Sequence, residues 1–160
     1  MHVSVRRYDY IFWAFFFVLP IVAFIHQLGH FVFVWMFGGK AVFILGRGKL
    51  MFRIGKLEVK QYYFLDSFCQ YENLKWDNRY THAFVYAGGS LFNLTAILIV
   101  NTMIHTGFLE PHIFYYQFVY FSVYFVFFSL LPFKYSETHS SDGRSIYDVI
   151  KYGKSCSQLD

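Results

Sequence analysis

Charge is the scarcest property of this sequence. Only 15% of its 160 residues are Asp, Glu, Lys or Arg, while 56% are apolar. Soluble domains hold roughly 45–50% apolar residues. A chain of this length makes about one domain. One small soluble core would struggle to bury 22 Phe and 14 Tyr. Lipid as solvent removes that difficulty, so a polytopic membrane protein is expected.

Cysteine is nearly absent. Cys69 and Cys156 lie far apart and form no CxxC pattern. They read as two free thiols, which fits a reducing side of the membrane. The net charge of +4 does not come with an aromatic-and-basic pattern on a soluble face. No nucleic-acid partner is therefore expected. No small-x-small cleavage site follows Arg6-Arg7 and "YIFWAFFFVLPIVAF". That run is also too long for a signal peptide, so it reads as a membrane segment. Internal repeats and low-complexity tracts are lacking too.

What the sequence does have is three long apolar runs. A span needs about 20 apolar residues. The candidates run from about Ile11 to Phe37, His82 to Ile104 and Ile113 to Leu131. Pro20 lies in the first and is expected to kink it. Gly88-Gly89 lies in the second, where small residues let another backbone approach. Between these two spans, residues 41–65 hold short β-rich runs broken by Gly46, Gly48 and Gly55. They predict a membrane-associated meander of two or three strands. Residues 132–160 predict a polar loop and a short helix from about Gly143 to Tyr152, capped by Ser141 or Asp142. The expected fold is mainly α: three transmembrane helices with a β-meander between the first and second.

Basic residues set the expected orientation. With three spans, residues 38–80 and the C-terminal tail share a side. That side carries nearly all the Lys and Arg, from Lys40 to Lys154. The other side carries Arg6 and Arg7. The 38–80 loop and the C-terminus are expected in the cytoplasm and the N-terminus outside. The run from Lys40 to Lys60 suits anionic lipid of the bilayer.

Within the first span lies "HQLGH", residues 26–30. His26 and His30 have i, i+4 spacing and project from one helix face. Two imidazoles so placed can bind one zinc ion. Two histidines on a membrane helix can also pack together or line a pore, but intramembrane ionisable residues are functional by default. A catalytic zinc site commonly uses three protein ligands. The tail offers Asp142, with Glu137, His139 and Asp148 as competing ligands.

"HQLGH", "GGSLFN" ending in Asn93, and "SLLP" followed by "SDGR" occur in that order. This set resembles the site-2 protease family of zinc intramembrane metalloproteases, over roughly Ile11 to Ile150. That family has HExxH, an AGPxxN-like motif and an N-x-x-P…DG motif. The resemblance implies one Zn2+ held by His26, His30 and Asp142. It implies hydrolysis of a membrane-embedded peptide or protein segment. Asn93 then donates a hydrogen bond to the substrate backbone or the developing oxyanion; the plainer reading is an interhelical hydrogen bond. The strands of 41–65 suit an unwound substrate added as a further strand.

Three residues depart from the pattern. Gln27 replaces the glutamate that acts as general base. Ser90 stands where Pro is usual, and Ser129 where Asn is usual. The stretch from Pro132 to Asp142 is also longer than in the family's compact form. Gln27 can hydrogen-bond water but cannot act as a carboxylate base. Losing a base typically lowers the rate about 10²–10⁴-fold. Two readings follow: a substitution introduced into a working protease, or a natural pseudoprotease that binds membrane partners without cutting.

Helix rise provides a check on depth. At about 1.5 Å per residue, His30 lies roughly 10 Å and His26 roughly 17 Å from the Phe37 end. Asn93 lies roughly 18 Å from the Thr81 end of its span on the same rise. These ends share one side, and Asp142 follows the third span there. The residues can meet if the segment before Asp142 folds back. A transporter would need polar residues across the whole membrane, and the third span offers mainly Gln117 and Ser122. A purely structural subunit would hold no zinc. His82, His105 and His112 fall at predicted membrane borders. The Phe- and Tyr-rich third span is expected to face lipid. The protein is expected in a bacterial cell membrane. No appended PDZ or CBS domain is seen, so selectivity would come from the core, a homo-oligomer or a regulatory partner. Substrate identity is not encoded in any motif found.

Overall fold

The computed structural model describes residue 12 and residues 14–55, 57–134 and 140–153. Arg6, Arg7, Lys56, Glu137, His139, Lys154 and Cys156 lie outside the described residues. Three helices are long and apolar enough to cross a membrane: Ala14–Met36, Arg79–His105 and Ile113–Leu130. The chain is a mainly helical membrane protein with a strand pair between the first and second spans.

The first span opens as a π-helical turn, Ala14–Val18, and continues as α1, Leu19–Met36. Pro20 is the second residue of α1, at the point within the continuous span where the winding changes from π to α. α1 stops where Gly38 takes φ +73°. The amides of Gly38 and Gly39 then bond the carbonyls of Trp35 and Val34 at 3.0 and 2.9 Å. This pairing satisfies the last carbonyls of the helix.

β1 (Lys40–Ile54) and β2 (Leu57–Glu72) pair antiparallel, from Lys40 opposite Glu72 to Ile54 opposite Leu57. The expected meander is thus one long hairpin that runs beyond residue 65. Gly46 and Gly48 do not end strands as their positions suggested. They take positive φ inside β1, where the register shifts. Glycine absorbs such bulges without breaking the ladder.

α2 (Arg79–His105) begins where the Asn78 side chain accepts the Thr81 amide at 2.9 Å. α3 (Ile113–Leu130) begins where His112 accepts the Phe114 amide at 3.2 Å. α4 (Asp142–Tyr152) is capped by Ser141, which accepts the Arg144 amide at 3.2 Å.

Two apolar clusters bracket the centre of the molecule. Val18, Val22 and Phe118 join α1 to α3, with Ala96 and Val100 of α2 packed against them. Val34, Ala41 and Val85 join α1, β1 and α2. Between these clusters α1 and α2 touch through glycines. A Cβ on Gly88 would lie 2.7 Å from the Gly29 carbonyl oxygen, and a Cβ on Gly29 would meet the Gly88 carbonyl. Small residues at a membrane helix crossing permit this approach. α3 buries little of itself, leaving Tyr116, Tyr120, Tyr124 and Phe127 exposed.

Candidate metal centre

α1 supplies two ligands because its spacing places them one turn apart. His26 and His30 are buried, with ring centroids 4.8 Å apart. Asp142 arrives from the far end of the chain because the segment after α3 does fold back. The Ser141 hydroxyl donates to the Leu131 carbonyl at 2.5 Å and accepts the Phe133 amide at 3.1 Å. The Ser141 amide donates to the Phe133 carbonyl at 2.9 Å. Gly143 completes the turn; any Cβ there would collide with the Leu130 carbonyl.

This return puts Asp142 Oδ2 3.1 Å from His26 Nε2 and 3.4 Å from His30 Nε2. The three ligand atoms all lie within 4.8 Å of one another. Zinc–ligand bonds of about 2.1 Å in a tetrahedron separate ligand atoms by about 3.4 Å. The two His–Asp separations are close to that, and the group as a whole lies within 4.8 Å. Two imidazoles and a carboxylate also match a common catalytic zinc set. Gly89 supplies a further sign of fit. A Cβ at that position would stand 2.5 Å from His26 Nε2 and 2.6 Å from His30 Nε2. The glycine keeps open the space where both nitrogens point.

The ligands have partners behind them. His30 Nδ1 donates to the Val85 carbonyl at 2.8 Å. Ser129 donates to Asp142 Oδ2 at 2.5 Å, and Ser90 lies 3.2 Å from Ser129. The Asn93 amide lies 3.4 Å from His26 Nδ1. Metal-binding histidines and carboxylates are commonly held in this way. Burial works against charge on Asp142, yet the adjoining His30 and His26 rings hold its carboxyl well below the usual carboxylate range. The Asp142 side chain keeps 19% exposure against 7% and 8% for the histidines, so the cluster opens on the Asp142 side.

The structure therefore brings together His26, His30, Asp142 and Asn93. Gln27 is buried beside His26 on the same helix. Asp148 stands apart, paired with Arg144 at 3.0 Å. Among the described residues, this His–His–Asp group is the one whose ligand atoms converge. Ser90 and Ser129 were visible in the sequence only as departures from a motif; here they touch each other, and Ser129 touches Asp142. The Val85 carbonyl left no side-chain signal at all. Of the border histidines, His82 bonds Asp77 at 2.6 Å and the Tyr71 hydroxyl at 2.9 Å. It thereby fastens the end of β2 to the start of α2.

The chain is 51% identical over 142 residues to a Bacillus subtilis (strain 168) protein described as uncharacterized membrane protein YwmF. The match covers 89% of each chain. No family model matches the sequence, and no solved structure matches it.

Proposed function

This chain belongs to the same family as the membrane protein YwmF, and we propose that it is a zinc-dependent intramembrane endopeptidase core of the site-2 protease type with its general base replaced by Gln27. One observation carries the reading. Three residues from opposite ends of the chain, His26, His30 and Asp142, converge with ligand atoms within 4.8 Å, and both histidines are buried. A charged cluster in an apolar interior is costly, and such clusters mark function in membranes.

Zinc in that cluster would polarise a scissile carbonyl and activate water. The chain's own residues do the rest. His26 and His30 hold the ion from α1, and Asp142 holds it from the folded-back tail. Gly89 leaves room for it. Gln27 occupies the position of the proton-accepting glutamate and cannot take the proton. As the sequence stands, the site binds zinc and peptide and turns over slowly or not at all. The two-stranded hairpin offers its edge to an extended peptide, which would expose peptide bonds that a helix hides. The charge distribution favours a cytoplasmic hairpin and C-terminus, and the Bacillus subtilis relative favours a bacterial cell membrane.

A natural pseudoprotease shares every feature up to turnover. The Gln27→Glu variant separates the two. In detergent or vesicles it is expected to cleave membrane-spanning test peptides, and His26→Ala in the same background is expected to stop cleavage. No cleavage of any such peptide by a zinc-loaded Gln27→Glu chain would favour the binding-only reading. A chain that takes up no zinc would overturn both.

A further inference from the structure

Asn93 is fully buried on α2, behind the His26 ring. Its Nδ2 lies 3.4 Å from His26 Nδ1, while His26 Nε2 faces Asp142 at 3.1 Å. The Asn93 side-chain oxygen is buried with no hydrogen-bond partner among the described residues. An amide N–H donating to Nδ1 would leave the His26 proton on Nε2. That nitrogen could not then bind a metal. Coordination through Nε2 requires the proton on Nδ1, which makes Nδ1 a donor. Turning the Asn93 amide over exchanges its nitrogen and oxygen in nearly the same space. The orphaned oxygen then becomes the acceptor that Nδ1–H needs.

His30 already has this arrangement. Its Nδ1 meets the Val85 carbonyl at 2.8 Å. A carbonyl can only accept, so His30 Nδ1 carries a proton and Nε2 is the nitrogen left to bind a metal.

We propose that Asn93 is a positioning residue for His26: its side-chain oxygen accepts Nδ1–H and locks the tautomer and ring orientation that present Nε2 to zinc. Asn93 does for His26 what the Val85 carbonyl does for His30. This inference rests on the zinc reading above. It gives Asn93 a task at Nδ1 of His26 rather than at the substrate.

The test is zinc affinity of the full-length chain in detergent, measured by competition with a chromophoric chelator, together with the absorption spectrum of the cobalt-substituted protein. Asn93→Asp keeps an acceptor and is expected to hold zinc within a few-fold of the parent, with the cobalt bands preserved. Asn93→Leu keeps the volume and removes the acceptor. Its affinity is expected to fall about 10–100-fold, the usual effect of losing such a partner, with shifted cobalt bands. Asn93→Ala is the second acceptor-free variant, should the leucine not fold. Parent-like zinc affinity in an acceptor-free variant overturns the inference and leaves the zinc centre standing. Asn93→Asp binding as weakly as Asn93→Leu also overturns it, because packing or an N–H donor would then be what matters. A parent chain without zinc overturns the inference and the metal reading together.

Discussion

The Ser129 hydroxyl lies 2.5 Å from Asp142 Oδ2 and ties the last turn of α3 to the first turn of α4. Ser90 of α2 lies 3.2 Å from Ser129, so one hydroxyl chain reaches the carboxylate from two helices. Ser129→Ala removes the direct donor and frees the carboxylate to rotate. Zinc affinity is expected to fall about 10-fold, the low end for such partners. Ser90→Ala, one bond further out, is expected to have a smaller effect. Chelator competition on both variants checks the order; a larger loss in Ser90→Ala would contradict it.

Gly89 bears on the metal by leaving space. The Cβ of Gly89→Ala would fall 2.5 Å from His26 Nε2 and 2.6 Å from His30 Nε2. The variant is expected to fold and lose measurable zinc binding. Thermal unfolding and metal content, measured on the same preparation, separate those effects. Full zinc occupancy in Gly89→Ala would place the ion elsewhere.

The glycine crossing of α1 and α2 sets the distance between the ligand-bearing helix and its neighbour. Gly29→Ala puts a methyl against the Gly88 carbonyl. Overpacking of this kind typically costs about 1–3 kcal/mol. The variant is expected to unfold at lower denaturant concentration than the parent. An unchanged midpoint would mean that the crossing is looser than described.

Ser141 controls the return of Asp142. Its hydroxyl caps α4 and bonds Leu131 and Phe133 at the end of α3. Losing a serine cap typically costs about 1 kcal/mol of helix stability. Ser141→Ala should also weaken zinc binding, although residue 141 is no ligand. Hydrogen exchange across residues 142–152, alongside zinc affinity, tests that coupling. Faster exchange with unchanged affinity would show that Asp142 is placed by other contacts.

The parts of the fold that were legible in the sequence were those encoded locally. Long apolar runs marked the three spans to within a few residues, and Ser141 or Asp142 marked the start of α4, which Ser141 caps. Residues 41–65 read as two or three strands because Gly46 and Gly48 look like strand breaks, whereas in the fold they are bulges within β1. The site divides along the same line. His26 and His30 are one helical turn apart, so periodicity alone pairs them. Asp142 is 116 residues from His26, and only motif order and topology suggested that it returns. The bonds from Ser141 to Leu131 and Phe133 that bring it back cannot be read from residue types. Neither can the Val85 carbonyl behind His30, since every residue carries one. Ser129 and Ser90 stood out as substitutions in a motif, and their partnership emerged only from the packing of α2 against α3.

Metal content tests the proposed zinc centre most directly. The full-length chain, expressed in zinc-replete medium and purified without chelators, is expected to carry one zinc ion per chain by elemental analysis. His26→Ala and Asp142→Ala are each expected to abolish it while Gln27→Glu retains it. A folded parent chain free of zinc, or zinc retained at full occupancy in both ligand variants, would contradict a centre built on His26, His30 and Asp142.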